Sequence, residues 1–545
     1  MSRLDEYEES RKNNYNYLIE NKIEPYPYAF NRTHTSTGIK DKYSTLEVDT
    51  FTSEEASYAG RLLLFRNIGK IIFLDLYDSY GKMQIVAKDD TLSKENFELL
   101  QHIDKGDILG VTGKIFKTKR GEISIEAKSI TFLSKAFLPL PDKFHGLSDP
   151  ELRYRKRYLD LMINQDVKDV FYKRAQIISI IREVFAKRGF LEVETPLLQP
   201  PYGGANARPF VTESFVWKRK LYLSISPELY LKRLLVGGFD KVFTICKNFR
   251  NEGVDKSHNP EFTMVEAYEA YKDYNSAQDL IEEIYETIAI KLFGTTKIVY
   301  QDQEYDFKRP WKKLTMKQAL IEFGKIDVDK LSDEQLKDML KEHKVFLEDY
   351  KRGLAISELF EVLCDEHLSG PIHIIDHPKE TTPLCKLHRD DKALIERNEP
   401  YMHRMELGNI YSELNDPNVQ EELMNDQKDQ GRAKGESHPV DTDFIESLKY
   451  GMPPAYGIGF GVDRLVMLFT NSQNIRDVIL FPMLREEEGE EKENAEKKWN
   501  KNMTTRCVKC NKELITDNEI YCSSCKAAIK QKIENIQRLD KFKKV

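Results

Sequence analysis

Five short, largely apolar runs follow one another along the chain: Tyr58–Arg66, Lys70–Tyr77, Lys82–Ala87, Asp107–Phe116 and Glu122–Leu133. Branched and aromatic residues dominate these runs. Turn formers separate them at Asn67, Asp78-Ser79-Tyr80-Gly81, Gly106 and Lys117-Thr118-Lys119-Arg120-Gly121. Five strands packed this closely predict a small closed barrel such as an OB-fold, with a ligand-free β-sandwich as the other solution. Upstream, residues 1–21 are polar and helix-prone, and residues 22–55 read as loop, broken at Pro25, Tyr26 and Pro27. Downstream the pattern changes. Ile177, Ile181, Val184 and Phe185 recur at helical spacing, so the pattern predicts an amphipathic helix over 172–188, closed by Gly189. Strands are predicted at Leu221–Ser226, Lys241–Arg250 and Glu261–Tyr271.

These shifts divide the chain. Residues 1–55 form a helix and lead-in, 56–136 the barrel, and 150–484 a long α/β region with an inserted helical segment at about 310–365. Residues 485–500 form an acidic linker, and 501–545 a compact cysteine-bearing module. A chain of 545 residues is too long for one core, so several domains are expected. The formal net charge is −7, which excludes a globally basic protein and confines any nucleic-acid contact to local patches. The first residues lack the apolar core of a signal peptide, and no apolar run reaches 18 residues. Four of the seven cysteines cluster near the C-terminus, which is not a disulfide framework. The expectation is a soluble cytoplasmic protein with no membrane contact.

Three constellations carry chemistry. The first is Phe249-Arg250-Asn251-Glu252-Gly253, followed by His258 and the run Phe262 to Tyr268. Read as a strand, that run places Phe262, Met264, Glu266 and Tyr268 on one face. An arginine and a histidine near an aromatic suit a nucleotide, with charge for phosphates and a flat face for the base; two surface strands with scattered ion pairs fit the same spacing. The second is Glu399, Glu406, Asn409, Tyr411 and Glu413, the last three sharing a strand face. Glu399 and Glu406 suit Mg²⁺ on ATP, since that ion takes few protein oxygens, or are ordinary surface carboxylates. The third is Gly457-Ile-Gly459-Phe-Gly461-Val-Asp463-Arg464. Its alternating glycines open one strand face to a ligand, or mark a tight turn.

Together the three resemble motifs 2 and 3 of class II aminoacyl-tRNA synthetases, and Ile177 to Pro196 looks like motif 1. The resemblance to the lysyl-tRNA synthetase family runs from about 57 to 484, through Arg208-Pro-Phe-Val, Pro227-Glu-Leu-Tyr-Leu-Lys-Arg and Ser412-Glu-Leu-Asn-Asp. It implies an α+β fold: an OB-fold barrel, then an antiparallel sheet flanked by helices, in a homodimer joined at motif 1. It also implies a two-step reaction. Lysine carboxylate attacks the ATP α-phosphorus with release of pyrophosphate, and the lysyl group passes to the 3′-terminal ribose of tRNA(Lys).

By the same resemblance, Arg250 bridges the α-phosphate and the lysine carboxylate. Arg464 holds the γ-phosphate with His258, Phe262 stacks on adenine, Glu252 contacts ATP, and Glu399 and Glu406 hold Mg²⁺. Gly204 and Glu228 take the lysine α-amino group, Asn409 the carboxylate, and Glu266, Glu413 and Tyr268 the ε-ammonium. Converging buried carboxylates repel one another, and a lysine ammonium resolves that cost where aspartate or asparagine does not. In the barrel, Phe73 and Gln84 match anticodon-reading positions, and Arg61 is expected on the RNA backbone.

Three segments depart from the family pattern. Tyr456 stands where alanine is usual and is expected to narrow the lysine pocket. Pro371-Ile-His-Ile-Ile-Asp-His-Pro and Thr382-Pro-Leu-Cys385 also differ. The C-terminal module is an addition. Cys507, Cys510, Cys522 and Cys525 form two CxxC pairs eleven residues apart, the spacing of a tetrahedral zinc site, against a reduced redox pair that is not normally doubled. Residues 501–545 carry eleven Lys/Arg against five Asp/Glu, so this knob is a candidate tRNA grip. Two rival functions stand beside the ligase: an enzyme of the same fold that lysylates a translation factor, which lacks the barrel, and a non-catalytic paralogue, which loses the arginines or metal carboxylates.

Overall fold

The computed structural model describes residues 3–140, 149–433 and 440–485, with side chains left out for 3–6, 165 and 427–433. The four C-terminal cysteines therefore lie outside the described residues.

The N-terminal barrel closes through β1 (Thr50–Ile68), β2 (Ile71–Tyr77), β3 (Lys82–Lys88), β4 (Ile108–Lys117) and β5 (Ile123–Ser134), in the order β1-β2-β3-β5-β4. Alternation decides which residues fill it: Ile72, Leu74 and Leu76 point in, as do Met83, Ile85 and Ala87. The lead-in is more ordered than its composition suggests. Thr35 caps a helix over Ser36–Lys42 by accepting from the Gly38 N–H, and β1 begins at Thr50, opposite Lys117 of β4. The helix Arg3–Glu20 docks on the barrel through Arg11, which donates to the carbonyls of Ala136 and Lys105 at 2.8 Å each.

The second region is built on a nine-stranded sheet. Its strands run in the order Lys312–Thr315, Ile372–Pro378, Leu394–Met402, Asn409–Ser412, Ala455–Gly461, Glu261–Ala270, Lys241–Phe249 and Leu191–Glu192, with Met405–Glu406 beside Leu394–Met402. The interior pairs are antiparallel, as the resemblance implies; the two edge pairs are parallel. The helix Tyr274–Phe293 lies along one face, capped by Asp273 and ended by Gly294 at φ 72°. Its stripe of Ala277, Leu280, Ile281, Ile284, Tyr285 and Ile288 buries against Val265, Ala267, Ile410, Ile458 and Phe460. The opposite sheet face is left to the residues singled out above.

The helix Gln165–Lys187 contributes Ile177, Ile181, Val184 and Phe185 to the same core. The inserted segment is helical, with Met316–Glu322 and Asp333–Glu342 both opened by capping boxes, and Arg352–Cys364 after them. In the charged stretch 153–161, Tyr154, Arg157 and Asp160 are buried, and Arg157 holds the others in place. It pairs with Asp160 at 2.9 Å and donates to the carbonyls of Arg476 and Leu480, tying down the end of the sheet domain.

The barrel also encloses one charge cluster. Lys135 and Asp107 are both fully buried, 2.9 Å apart. Burial pushes the Asp107 carboxyl up, and the Lys135 ammonium pulls it back. Lys135→Met is expected to destabilise the barrel by about 3–5 kcal/mol in urea unfolding, because it strands Asp107 without a counter-charge. The loss should shrink at acid pH, where Asp107 takes up a proton, and the double change Lys135→Met, Asp107→Leu should recover most of it.

Candidate functional site

The face of the sheet turned away from the core helix opens into a cleft of about 1000 Å³. Alternation along three adjacent strands supplies its floor: Phe262, Met264, Glu266 and Tyr268 from one, Asn409 and Tyr411 with the following Glu413 from the second, and Gly457, Gly459 and Gly461 from the third. Gly204, Glu228, Arg250, Glu252, His258, Glu406 and Arg464 line the walls. Glu399 is joined to the cleft through Asn409, whose Nδ2 donates to its Oε1 at 3.3 Å.

At one end the cleft is acidic. Glu266 is buried; Ser226 Oγ donates to its Oε1 at 2.8 Å and Tyr268 OH to its Oε2 at 3.2 Å. Burial, with the charge of Glu228 beside it, pushes the Glu266 carboxyl up to about 8, against the pull of those hydrogen bonds. Glu413 is fully buried; its Oε2 pairs with the Lys232 ammonium at 2.5 Å, and its Oε1 has no hydrogen-bond partner among the described residues. Burial raises it too, and the nearby Lys232 ammonium opposes that.

The glycine strand is what makes room. A Cβ on Gly457 would sit 2.0 Å from Glu413 Oε1 and 2.5 Å from the Tyr268 ring. Gly204 adopts φ +85°, and a Cβ there would lie 2.9 Å from Ser226 Oγ. Tyr456 belongs to the other face of the same strand. It is fully buried in the core and its hydroxyl donates to Glu269 at 2.7 Å, so it does not narrow the pocket. The period of two sends it away from the cleft when its glycine neighbours face in.

At the other end the cleft is basic. The Arg250 guanidinium lies 5.1 Å from the Phe262 ring centre, and its Nε has no partner among the described residues. Arg464 stands in the first turn of the helix Val462–Phe469 and donates to the Glu406 carbonyl at 3.3 Å. Its Nη2 lies 3.2 Å from His258 Nε2, while Asp255 sits 2.9 Å from His258 Nδ1. That arrangement assigns the ring proton to Nδ1 and leaves Nε2 to accept from Arg464. Asp255 is partly desolvated, yet the donors of Ser257 and His258 bring it down to about 2. The helix itself is pinned by Asp463, which accepts from Arg174 at 2.6 Å and from the Thr263 N–H at 2.7 Å.

Between the two ends lies a pair of carboxyls. Burial and the charge of Glu399 push Glu406 up to about 7, against the opposing charges of Arg464 and Arg397. Glu399 moves down despite its burial, held by Arg397 and by the Tyr401 hydroxyl at 2.6 Å. Two carboxyls that repel one another beside a cationic phosphate-sized space fit a divalent cation that arrives with phosphate oxygens of its own. Among the described residues no group of three or more His, Cys, Asp or Glu is set to hold a metal.

Several residues of this site carry no signal in the sequence. Arg397 is half-buried between the two ends and donates to Asn409 Oδ1 at 3.1 Å as well as pairing with Glu399. Ser226, Arg174 and Asp255 act as second partners, and residues that act through another leave no periodicity or spacing of their own. Arg397 alone had a hint, as a basic position two residues from Glu399 on the same strand.

In the barrel, Gln84 is buried, accepting from Ser124 Oγ at 3.0 Å and donating to Glu122 at 3.1 Å. Arg61 is committed to the Gly106 carbonyl at 2.7 Å. The guanidinium beside Phe73 is that of Arg66, its cross-strand partner, 5.5 Å from the ring centre and exposed.

The comparisons with known proteins agree with this layout. Residues 149–485 match the family described as tRNA synthetases class II (D, K and N), and residues 56–133 match an OB-fold nucleic acid binding domain. A protein of Methanoculleus marisnigri named lysine–tRNA ligase is 48% identical over 473 residues, covering 86% of this chain and 93% of that one. Proteins of the same name from Clostridium novyi and Rhizobium meliloti are 46% and 47% identical, over 84% and 85% of this chain and 90% and 93% of their own lengths.

Gly457→Ala is expected to destabilise the domain by about 1–3 kcal/mol in thermal unfolding, because Glu413 and Tyr268 must both give way. Gly461→Ala should cost well under half as much, since its nearest neighbour would be Arg464 Cβ at 4.0 Å.

Proposed function

The chain belongs to the tRNA synthetases of class II (D, K and N), and from that premise we propose that it is a lysine–tRNA ligase. It joins L-lysine to ATP as lysyl-adenylate with release of pyrophosphate, then transfers lysine to the 3′ end of tRNA(Lys). One observation carries the choice of amino acid: three buried carboxyls, Glu228, Glu266 and Glu413, converge on a floor kept open by Gly457. A substrate that brings two ammonium groups relieves their repulsion, and one with an acidic or amide side chain does not.

In this reading Glu266, Glu413 and Tyr268 receive the ε-ammonium, and Gly204 and Glu228 the α-amino group. Arg250, its Nε still without a partner, takes the substrate carboxylate and the α-phosphate oxygens. It aligns the attacking oxygen and offsets the negative charge that grows on phosphorus. No side chain forms a bond to the substrate, so the rate comes from alignment and charge. Asn409 faces the carboxylate subsite, with Arg397 fixing its amide. Phe262 offers its ring to adenine, and Arg464, steadied by His258, meets the γ-phosphate. Glu252 is exposed at the cleft edge, within reach of ATP. Glu399 and Glu406 would hold Mg²⁺ brought in with ATP, which when bound neutralises phosphate charge.

The finer partners belong to the same proposal. The barrel binds the anticodon arm, with Phe73 and Arg66 as a stacking and cationic pair on its outer face and Gln84 and Arg61 beneath or beside it. The enzyme is a homodimer; Leu191, Val211, Phe215 and Trp217, all exposed in the single chain, are the apolar surface this reading buries. Cys507, Cys510, Cys522 and Cys525 hold a structural zinc, supported by their spacing. The compartment is the cytoplasm, in keeping with the free Cys246, Cys364 and Cys385 and with the absence, among the described residues, of any helix long and apolar enough to cross a membrane.

ATP–pyrophosphate exchange without tRNA tests the reading. Exchange should require lysine and fail with aspartate and asparagine; exchange with either of those in place of lysine removes the proposal. The pH dependence has a definite sign. A carboxyl raised to about 8 must lose its proton to receive an ammonium, so the KM for lysine should fall as pH rises and level off above about 8. Glu266→Gln should cost about 1.5–3 kcal/mol in kcat/KM for lysine and flatten that limb.

A further inference from the structure

Behind the acidic end of the cleft stands a lysine that the reaction as described does not use. Lys232 occupies the second turn of the helix Glu228–Val236, one turn after Glu228 and on the same helical face. Its side chain is fully buried and forms no part of the cleft wall. The ammonium lies 2.7 Å from Glu228 Oε1 and 2.5 Å from Glu413 Oε2. Glu413 comes from the far side of the sheet, so this is not a helix pair stabilising its own helix. A buried lysine is costly to desolvate, and one partner would be enough to hold it; the second partner is a pocket carboxylate.

The charges facing this group from each element are few. On its own helix there is Glu228, and from the sheet there are Glu413, Glu266 and Tyr268. The Cys385 thiol lies beside Glu413 and feels both Lys232 and Arg397, and Arg250 acts on Glu266. Within the side-chain pocket three carboxyls and one resident ammonium leave two negative charges, as many as lysine brings ammonium groups. The Lys232 ammonium thus takes Glu413 Oε2 and leaves Oε1 without a partner among the described residues, turned toward the bare Gly457.

We propose that Lys232 is a positioning and specificity-determining residue of the amino-acid pocket: its ammonium pairs with Glu413 Oε2, opposes protonation of that carboxyl and leaves Oε1 aimed at the substrate's side-chain cation. Without it, Glu228, Glu266 and Glu413 face one another unrelieved, and the pocket answers by taking up protons. A pocket with neutral carboxyls binds an ammonium poorly and loses its preference over uncharged side chains. This inference rests on the lysine–tRNA ligase reading.

The test is lysine-dependent ATP–pyrophosphate exchange by the full chain from pH 6.5 to 9.5, with Lys232→Met, Lys232→Gln and Lys232→Arg. Lys232→Met should raise the KM for lysine by about tenfold at pH 7, one unit of carboxyl shift, with the deficit narrowing toward pH 9. The KM for ATP should stay within about twofold, since the effect is confined to the acidic end. Lys232→Arg should restore most of the loss by keeping the charge. Lys232→Gln, which keeps a donor but not the charge, should behave like Lys232→Met and stands in for it if the methionine variant does not fold. Norleucine should compete better against lysine in the two neutral variants than in the parent enzyme. A lysine defect equal at every pH, an equal defect in Lys232→Arg, or loss of soluble protein with all three substitutions would make Lys232 a folding residue and overturn the proposal. Absence of lysine-dependent exchange in the unaltered chain would instead sink the ligase reading itself.

Discussion

Like charges held close together in a space with little water dominate this protein, and much of the sheet domain can be understood as the means of tolerating them. Glu228, Glu266 and Glu413 are all buried at one end of the cleft. Each would relax by turning to solvent or by staying protonated, and the surrounding structure prevents the first. Glu266 is held from both sides by Ser226 and Tyr268, and Glu413 sits in the space left by a missing side chain at Gly457. The constraint is geometric before it is chemical. A strand with three glycines on one face has little to offer as packing, and its stability comes from the other face, where Tyr456, Ile458 and Phe460 enter the core against the helix Tyr274–Phe293. The same strand thus anchors the fold on one side and gives up its contacts on the other.

The two ends of the cleft are joined by one guanidinium. Arg397 touches Asn409, on the amino-acid side, and Glu399, on the phosphate side. Its charge lowers Glu399 and so pushes the proton burden of that pair onto Glu406. Any cation that arrives with the nucleotide changes the field at Arg397, and Arg397 in turn orients Asn409. At the far end, Arg464 is placed by a short relay from Asp255 through His258, while Asp463 in the same helical turn is anchored to Arg174 and the backbone of Thr263. Precision in that arginine comes from residues three elements away.

What could be read from the sequence follows from this division of labour. The period of two in residues 262–268, and the glycines at 457, 459 and 461, announced which faces would meet, because alternation is a local property that survives any tertiary arrangement. The barrel strands were legible from their branched and aromatic runs and the turn formers between them, another local signal. The lead-in was not: Thr50–Phe51 pairs with Lys117 and Phe116, and a strand end made by a distant partner has no local pattern to betray it. Tyr456 shows a different failure. Its size suggested an effect on the cavity, yet the parity of its position, already fixed by the neighbouring glycines, sends it into the core.

Residues that act through other residues were the ones missed, and the anticodon face illustrates the reason most clearly. Arg61 and Arg66 are equally basic in the sequence and lie on the same strand. A bulge between Leu62 and Leu64 shifts the register by one residue, so Arg66 rather than Phe65 stands opposite Phe73, while Arg61 pairs with Tyr77. Arg61 faces a turn instead and donates to the Gly106 carbonyl. One extra residue in the strand thus puts a guanidinium rather than a second aromatic ring across from Phe73, and a bulge of that kind has no signature in composition. The same holds for Lys232: a helix pair with Glu228 is visible from spacing, but its approach to Glu413 exists only once the sheet has brought two distant segments together.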